Sequence, residues 1–569
     1  MVAVSEPLPL APKTLRQGRI FETLLPGAGV IIGGILIVGP FLATVIRSLL
    51  TWGPDGASLS LDNFALLLSD ARFYAAVGNT IICGGATTIL SCVLGLTLAW
   101  IVARTDLPGR SWFETLNLVP FFLSPYVGAL SWIFLIAPHS GLLQTTLKDY
   151  LGVSADFLNI YSLGGVIWVL TLFYTPYIYL FVIGPMRQMD GALEDAARVN
   201  GASFWTTVRH ITIPLLAPAL LSGALIVFVT SAGLFDVPLA LASPVSIRTV
   251  PTEIFALVQY PSDLGPASSL GVVILLVTVA LTLLQRRYLA RRRYDIVSGK
   301  GYRPRLVELR GRGRLAAYLV EACYIGCGVV LPVIALLLVS LSAIWTGRFR
   351  TRAATLDNYD FVLFGYKMTQ QAILNSLALA LAAASITVVL GVLQSYYLHR
   401  GRSARRSFAD IVVSLPLGIP GIILALGFLL LAIRTPLYST LWIILIAYVA
   451  RFFPFGTRTI SAMLVSINPE LEHSARASGA NWLQTLWFVL LPLLRPAIIA
   501  AWLMMFVICI RELGATILLY AQGTETISVA LVVLNDRSAV YVAALAVIQL
   551  VLLLIAFTLF KVTRISVQA

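Results

Sequence analysis

Long apolar runs nearly free of charge recur along this chain, separated by short polar segments. They lie at about 27–46, 73–102, 115–137, 157–186, 215–235 and 264–285, then at about 322–345, 368–398, 411–433, 435–460, 493–515 and 538–560. A helix needs roughly 20 apolar residues to cross a bilayer. In hydrocarbon the backbone must satisfy its own hydrogen bonds, so runs of this length are helices. The pattern predicts an all-α integral membrane protein with twelve transmembrane helices. Composition agrees: of 569 residues, 59% are hydrophobic and only 12% charged. That is too little charge to coat a water-exposed surface, which excludes a disordered chain or a soluble enzyme.

The second six runs repeat the first six. Leu61-Asp62-Asn63-Phe64 returns as Leu356-Asp357-Asn358-Tyr359, Asn79-Thr80 as Asn375-Ser376, and Val93-Leu94-Gly95 as Val389-Leu390-Gly391. Pro120 and Pro125 near the third run are echoed by Pro416 and Pro420, and Pro176 in the fourth by Pro454. The offset is about 296 early in each half and about 278 later, so the first half carries some 18 extra residues, placed in the loop at 138–160. Six is even, so both halves enter the membrane from the same side. These are two parallel six-helix repeats about an axis along the membrane normal, with a polar pathway expected between them. The division that follows is a cytoplasmic N-terminal segment (1–25), a first half (26–290), a basic linker (291–315) and a second half (316–569). No small-residue cleavage pattern follows the first run, which reads as a retained span.

Charge sets the orientation. The formal net charge is +14. With both termini in the cytoplasm, the inside segments carry about three times as many Lys and Arg as the outside loops, as the positive-inside rule requires. The excess therefore reads as topology and not as a nucleic-acid footprint. Eleven of the basic residues fall between Arg286 and Arg314, a stretch that serves either as a plain linker or as a site for anionic lipid headgroups. Cys83, Cys92, Cys323, Cys327 and Cys509 lie in apolar stretches and read as small hydrophobic residues. His139, His210, His399 and His473 are scattered and show no ligand spacing, so no metal site is expected.

One cytoplasmic loop occurs twice. Spans four and five are joined by Glu194-Asp195-Ala196-Ala197-Arg198-Val199-Asn200-Gly201-Ala202, with Pro214 thirteen residues after the glycine. Spans ten and eleven are joined by Glu472-His473-Ser474-Ala475-Arg476-Ala477-Ser478-Gly479-Ala480, with Pro492 thirteen residues after it. Each reads as a short helix, a turn that glycine permits, a second short helix, and a proline that begins the next span. Apolar Phe204, Trp205, Trp482 and Leu483 follow the turns, and Ala197 and Ala475 leave room for a close approach. A plain connecting loop does not require two copies with identical spacing; a docking surface for a partner does.

These loops resemble those of permease subunits in binding-protein-dependent ABC importers, and the resemblance runs over nearly the whole chain, twice. Fused twelve-span permeases of ferric-iron importers are the most similar. Arg511-Glu512-Leu513-Gly514-Ala515-Thr516-Ile517-Leu518-Leu519 and Thr524-Glu525-Thr526-Ile527-Ser528-Val529 carry that likeness. Permeases for thiamine, aminoalkylphosphonates and polyamines are close relatives. Ser474 stands where the first loop has Ala196, and a small residue is kept. The resemblance implies a type I importer permease fold in a prokaryotic inner membrane. It implies two copies of a cytoplasmic P-loop ATPase seated on Glu194, Ala197, Gly201 and Ala202 and on Glu472, Ala475, Gly479 and Ala480, and an extracytoplasmic solute-binding protein. The chain has no G-x-x-x-x-G-K-[ST] loop; Gly299-Lys300-Gly301 lacks both its spacing and its hydroxyl. ATP and magnesium are therefore expected on the partners, no cofactor is expected in this chain, and no catalytic motif occurs in it.

Ionisable groups inside spans mark a pathway or a pair. Asp236, Arg511 and Glu512 stand near the outer ends of spans five and eleven and either line the pathway or pair at the interface. Asn79 and Asn375 either line it or hydrogen-bond across helices. Arg451 and Arg495 are expected to snorkel to the surface. The rival class is a twelve-span secondary transporter driven by an ion gradient, which shares the parallel repeat. Asp106-Leu107-Pro108-Gly109-Arg110 resembles a fragment of that superfamily's signature.

Overall fold

A computed structural model describes residues 13–53, 56–152, 159–259, 262–291, 306–400 and 406–568. The described chain is helical apart from a hairpin pairing Leu50–Gly53 with Gly56–Leu59. Each of the twelve expected runs is helical. Among the described residues nine helices are long and apolar enough to cross a bilayer. The sixth and ninth positions hold shorter apolar helices, Leu264–Ala280 and Gly421–Ala432. The first helix begins at Lys13, inside the expected polar segment.

Spans three and nine depart from the expectation of unbroken helices. In the first half, Arg110–Phe122 and Pro125–Ile136 meet at 97°. In the second, Arg406–Ser414 gives way to a 3₁₀ turn at Leu415–Gly418 before Gly421–Ala432. The cause is proline. It lacks an N–H and drives the preceding residue into extended backbone. Ser124 (φ −74°, ψ 125°) precedes Pro125, and Ile419 (φ −112°, ψ 127°) precedes Pro420.

Pro214 and Pro492 do not begin their spans. The helix already runs from Phe204 in one half and from Trp482 in the other, through π-helical turns at Val208–Thr212 and Leu486–Leu490. A third such turn, Gly326–Val330, precedes Pro332. In each case the proline lies two residues past the widened turn. Widening moves aside the carbonyl that the proline ring would strike, so the helix continues across it.

The internal repeat is exact in its hydrogen bonds. Asn63 donates to the carbonyls of Ser48 and Leu50, both at 3.0 Å, and Asn358 to those of Ser340 and Ser342, both at 2.8 Å. Each asparagine closes the end of the preceding span. Gly95 and Gly391 bring span two onto four and span eight onto ten. A Cβ would lie 2.7 Å from Ile178 at the first and 3.2 Å from Gly456 at the second. Small residues at such crossings allow close helix contact. The extra residues of the first half are where expected: 26 residues separate Pro125–Ile136 from Leu163–Gln188, against 8 between Gly421–Ala432 and Leu441–Ser466.

The first span of each half lies against the other half. A Cβ on Gly427 would fall 2.3 Å from the Pro40 carbonyl, and one on Gly328 would be 3.3 Å from Pro120. Tyr324 donates to the carbonyl of Leu172. The loop at 105–110 is also occupied: Asp106 accepts from the Leu309 amide at 2.8 Å and pairs with Arg314 at 3.5 Å. The fragment that resembled a transporter signature thus holds the end of the linker. Residues 292–305 of the basic stretch lie outside the described residues.

Candidate functional site

The two loops fold alike. Helix Gly191–Val199 ends at Gly201 (φ +82°), and helix Glu470–Ala477 ends at Gly479 (φ +92°). Past each glycine the chain turns back: Ala202 N–H reaches the Ala197 carbonyl at 2.9 Å, and Ala480 N–H that of Ala475 at 3.1 Å. This is the Schellman closure, which needs a left-handed residue at the position of the glycine. No atom crowds either glycine, so backbone conformation alone demands it. Leu193, Val199 and Trp205 stand exposed on the first loop, and Leu471, Leu483, Trp487 and Phe488 on the second. Trp482, expected at the tip, is buried instead against the ring of Tyr396, with centroids 5.8 Å apart. The side chain of Phe204 lies outside the described residues.

Glu194 and Glu472 point inward, away from the exposed faces. Glu194 pairs with Arg104 at 2.9 Å and Glu472 with Arg400 at 2.7 Å. Arg104 also donates to the Met189 carbonyl at 3.2 Å. Arg400 donates to that of Ile467 at 2.7 Å and of Leu464 at 3.2 Å. Neither arginine was among the sequence candidates. Their separation of 296 residues, the offset of the early repeat, was the signal that could have found them.

A second constellation lies between the halves, toward the end of the helices opposite the loops. Glu512 pairs with Arg451 at 3.1 Å and accepts from the Ala515 amide at 2.8 Å. Arg451 therefore does not snorkel. Gly421 makes its place: a Cβ there would sit 1.0 Å from the guanidinium. Arg511 does not pair with Glu512 but donates to the carbonyls of Phe121 and Leu123, the latter at 2.9 Å, and lies over the Phe121 ring. Those carbonyls flank the break in span three, so an arginine of one half serves the backbone groups that the prolines of the other set free. Asp236 opens the short helix Asp236–Leu241, is buried, and feels the charges of Glu512, Arg451 and Arg511. The rings of Tyr174 and Tyr177 meet nearby at a tilt of 40° (centroids 5.3 Å), with Phe121 5.0 Å from Tyr177.

Asn79 and Asn375 are not part of this cluster. Asn79 donates to the Arg248 carbonyl at 2.9 Å, and Thr80 accepts from the Val250 amide at 2.9 Å. Asn375 donates to the carbonyls of Gly523 (3.1 Å) and Glu525 (2.9 Å), and Ser376 accepts from the Ile527 amide at 2.8 Å. Each pair holds the start of a short helix, Val250–Val258 or Ile527–Asn535. Two buried acids were missed: Glu253, in the helix Val250–Val258, and Glu321 of span seven, fully buried beside Asn117. Among the described residues no cation lies within ion-pair distance of Glu321, and none forms a metal-binding cluster of three or more His, Cys, Asp or Glu.

Comparison with known proteins bears on the whole chain. The chain is 26% identical over 484 residues to the ferric transport system permease protein FbpB of Actinobacillus pleuropneumoniae, covering 83% of this chain and 68% of that protein. It is 24% identical over 522 residues to the Fe(3+)-transport system permease protein FbpB 2 of Haemophilus influenzae, covering 90% and 92%. The putative 2-aminoethylphosphonate transport system permease protein PhnV of Salmonella paratyphi A is 30% identical over 257 residues, 45% of this chain and 94% of that one. One family, described as the binding-protein-dependent transport system inner membrane component, matches residues 91–294 and again 386–565. Twice matched and over most of its length, the chain belongs to the binding-protein-dependent transport system inner membrane components.

Proposed function

We propose that the solute moved by this importer permease is ferric iron. What carries the assignment is the likeness to a ferric transport permease over 83% of the chain. The chemistry between the halves is compatible with it. Asp236 and Glu512 offer hard carboxylate oxygens, which suit a hard cation. So few oxygens make a waypoint and not a store, as transport requires.

Energy arrives from outside the chain. The two glycine-turned loops, through Glu194, Ala197, Gly201 and Ala202 and through Glu472, Ala475, Gly479 and Ala480, seat two ATPase subunits on the cytoplasmic face, where both termini also lie. ATP and magnesium are bound by those subunits, and a solute-binding protein delivers cargo from the other side. Closing the ATPases draws the loops together and rocks the halves about the seam that holds Arg451, Glu512 and Arg511. Nucleotide shifts this balance only by its differential affinity for the two forms; a swing from 1:99 to 99:1 takes about 5.5 kcal/mol. Membership of a binding-protein-dependent family speaks against the ion-gradient alternative.

The test is uptake of ⁵⁵Fe(III) by cells stripped of other ferric systems. Expression of this permease with its ATPase and binding protein restores uptake, and Glu512→Gln lowers it without loss of assembly. Uptake of an aminoalkylphosphonate or thiamine in place of iron would return the solute assignment to those relatives while leaving the loops' role intact.

A further inference from the structure

The second span of each half, Ala71–Arg104 and Lys367–Arg400, is gripped at both ends. At the loop end Arg104 holds Glu194 and the Met189 carbonyl, which lie within and just ahead of the first loop helix. Arg400 holds Glu472 and two carbonyls, those of Ile467 and Leu464. Met189 and Ile467 are themselves 278 residues apart, the later repeat offset, so the carbonyl in the clamp is duplicated as well as the arginine. At the far end Asn79 with Thr80, and Asn375 with Ser376, hold the starts of the short helices beyond the seam. The two grips are 25 residues apart in both halves. At 1.5 Å per residue that is a rod of about 37 Å, the full depth of a membrane.

We propose that Arg104 and Arg400 are positioning residues that turn each second span into a push rod, carrying displacement of its docking loop to the opposite face. The inference rests on the reading of the loops as ATPase seats. The physical ground is that a guanidinium fork fixes a carboxylate and a carbonyl together, in a direction that a point charge does not. A loop fastened only by its chain ends would swing on its exposed turn; fastened to the span, it moves the span. Arg104 and Arg400 act through the loop helices, and neither faces the exposed docking surface: Arg104 is 1% exposed.

The test uses the full chain assembled with its ATPase subunits, in a background with the five cysteines replaced and spin labels on Tyr74→Cys and Lys367→Cys, at the far ends of the two rods. In the parent, ATP with vanadate changes the distance between labels. In Arg104→Ala and Arg400→Ala, the ATPases still co-purify and hydrolyse ATP within twofold of the parent, but the distance change is lost. Arg400→Lys stays impaired, and the exchanged pair Arg400→Glu with Glu472→Arg regains part of the change. An undiminished distance change in both alanine variants overturns the proposal, as does loss of ATPase association in them together with no gain in the exchanged pair. If the parent itself binds no ATPase, the reading of the loops fails instead, and the two failures are thereby told apart.

Discussion

The two halves agree at their loops and helix ends and differ at the seam between them. Both keep the asparagine that closes the first span, the glycine-turned loop, the arginine behind it and the hydroxyl that holds the far helix. At the seam they diverge. In the first half Phe173 presses on Gly128, whose Cβ would lie 2.2 Å from the ring. At the position equivalent to Phe173, 278 residues on, the second half has Arg451, which presses on a different glycine, Gly421, and pairs with Glu512. Gly233 of the first half packs on Pro420, beside the break in span nine; its counterpart Arg511 caps the carbonyls at the break in span three. The first half brings a single acid, Asp236, to the seam, and the second brings Arg451, Arg511 and Glu512. The repeat is kept in the loops and their clamps and is lost in the charges at the seam.

The sharpest way to break this comparison is Gly421→Ala. The added methyl evicts the guanidinium and leaves a buried charge unpaired, so we expect a loss of about 3–5 kcal/mol in detergent unfolding. At the apolar contact of the first half, Gly128→Ala overpacks the Phe173 ring and costs about 1–3 kcal/mol. Equal losses would mean that the charge pair adds nothing to the seam. Replacing the pair together, Arg451→Met with Glu512→Leu, is expected to keep the protein within about 1 kcal/mol of the parent or to stabilise it, because a buried ion pair is often matched by apolar packing. Iron uptake by that double variant should still fall, which separates the seam's chemistry from its stability. On the mechanical side, Gly201→Ala and Gly479→Ala each force a left-handed residue to carry a Cβ, at about 1–2 kcal/mol. Their effects on ATP-driven uptake should be alike within a factor of two, measured in proteoliposomes, whereas seam substitutions in opposite halves should not be. The smallest effect is expected from Glu321→Gln: replacing a buried carboxyl that has no cation beside it leaves the melting temperature unchanged or raises it by a few degrees.

Much of the mechanical half was legible along the chain. Glu-to-glycine and glycine-to-proline spacings are local, and Leu-Asp-Asn repeats announce themselves. The seam was not. Arg451 was assigned to the surface because its partner, Glu512, is 61 residues away and its berth, Gly421, sits on a third helix. Proline pairs in spans three and nine are visible along the chain, but a broken helix in lipid leaves carbonyls that only a distant residue can serve. Arg511 serves two of them from the other half, a fact held in no single stretch of sequence. Likewise Trp482 looked like a docking residue until its ring was found against Tyr396, on a span almost ninety residues earlier.

The crossed first helices carry one more consequence. Since Pro40 is lodged against Gly427 of one repeat and Gly328 against Pro120 of the other, each lobe is braced by a strut belonging to its neighbour. Severing the tether between them would alter the number of polypeptides without releasing either, and two separately translated pieces would be obliged to find one another before either could be complete.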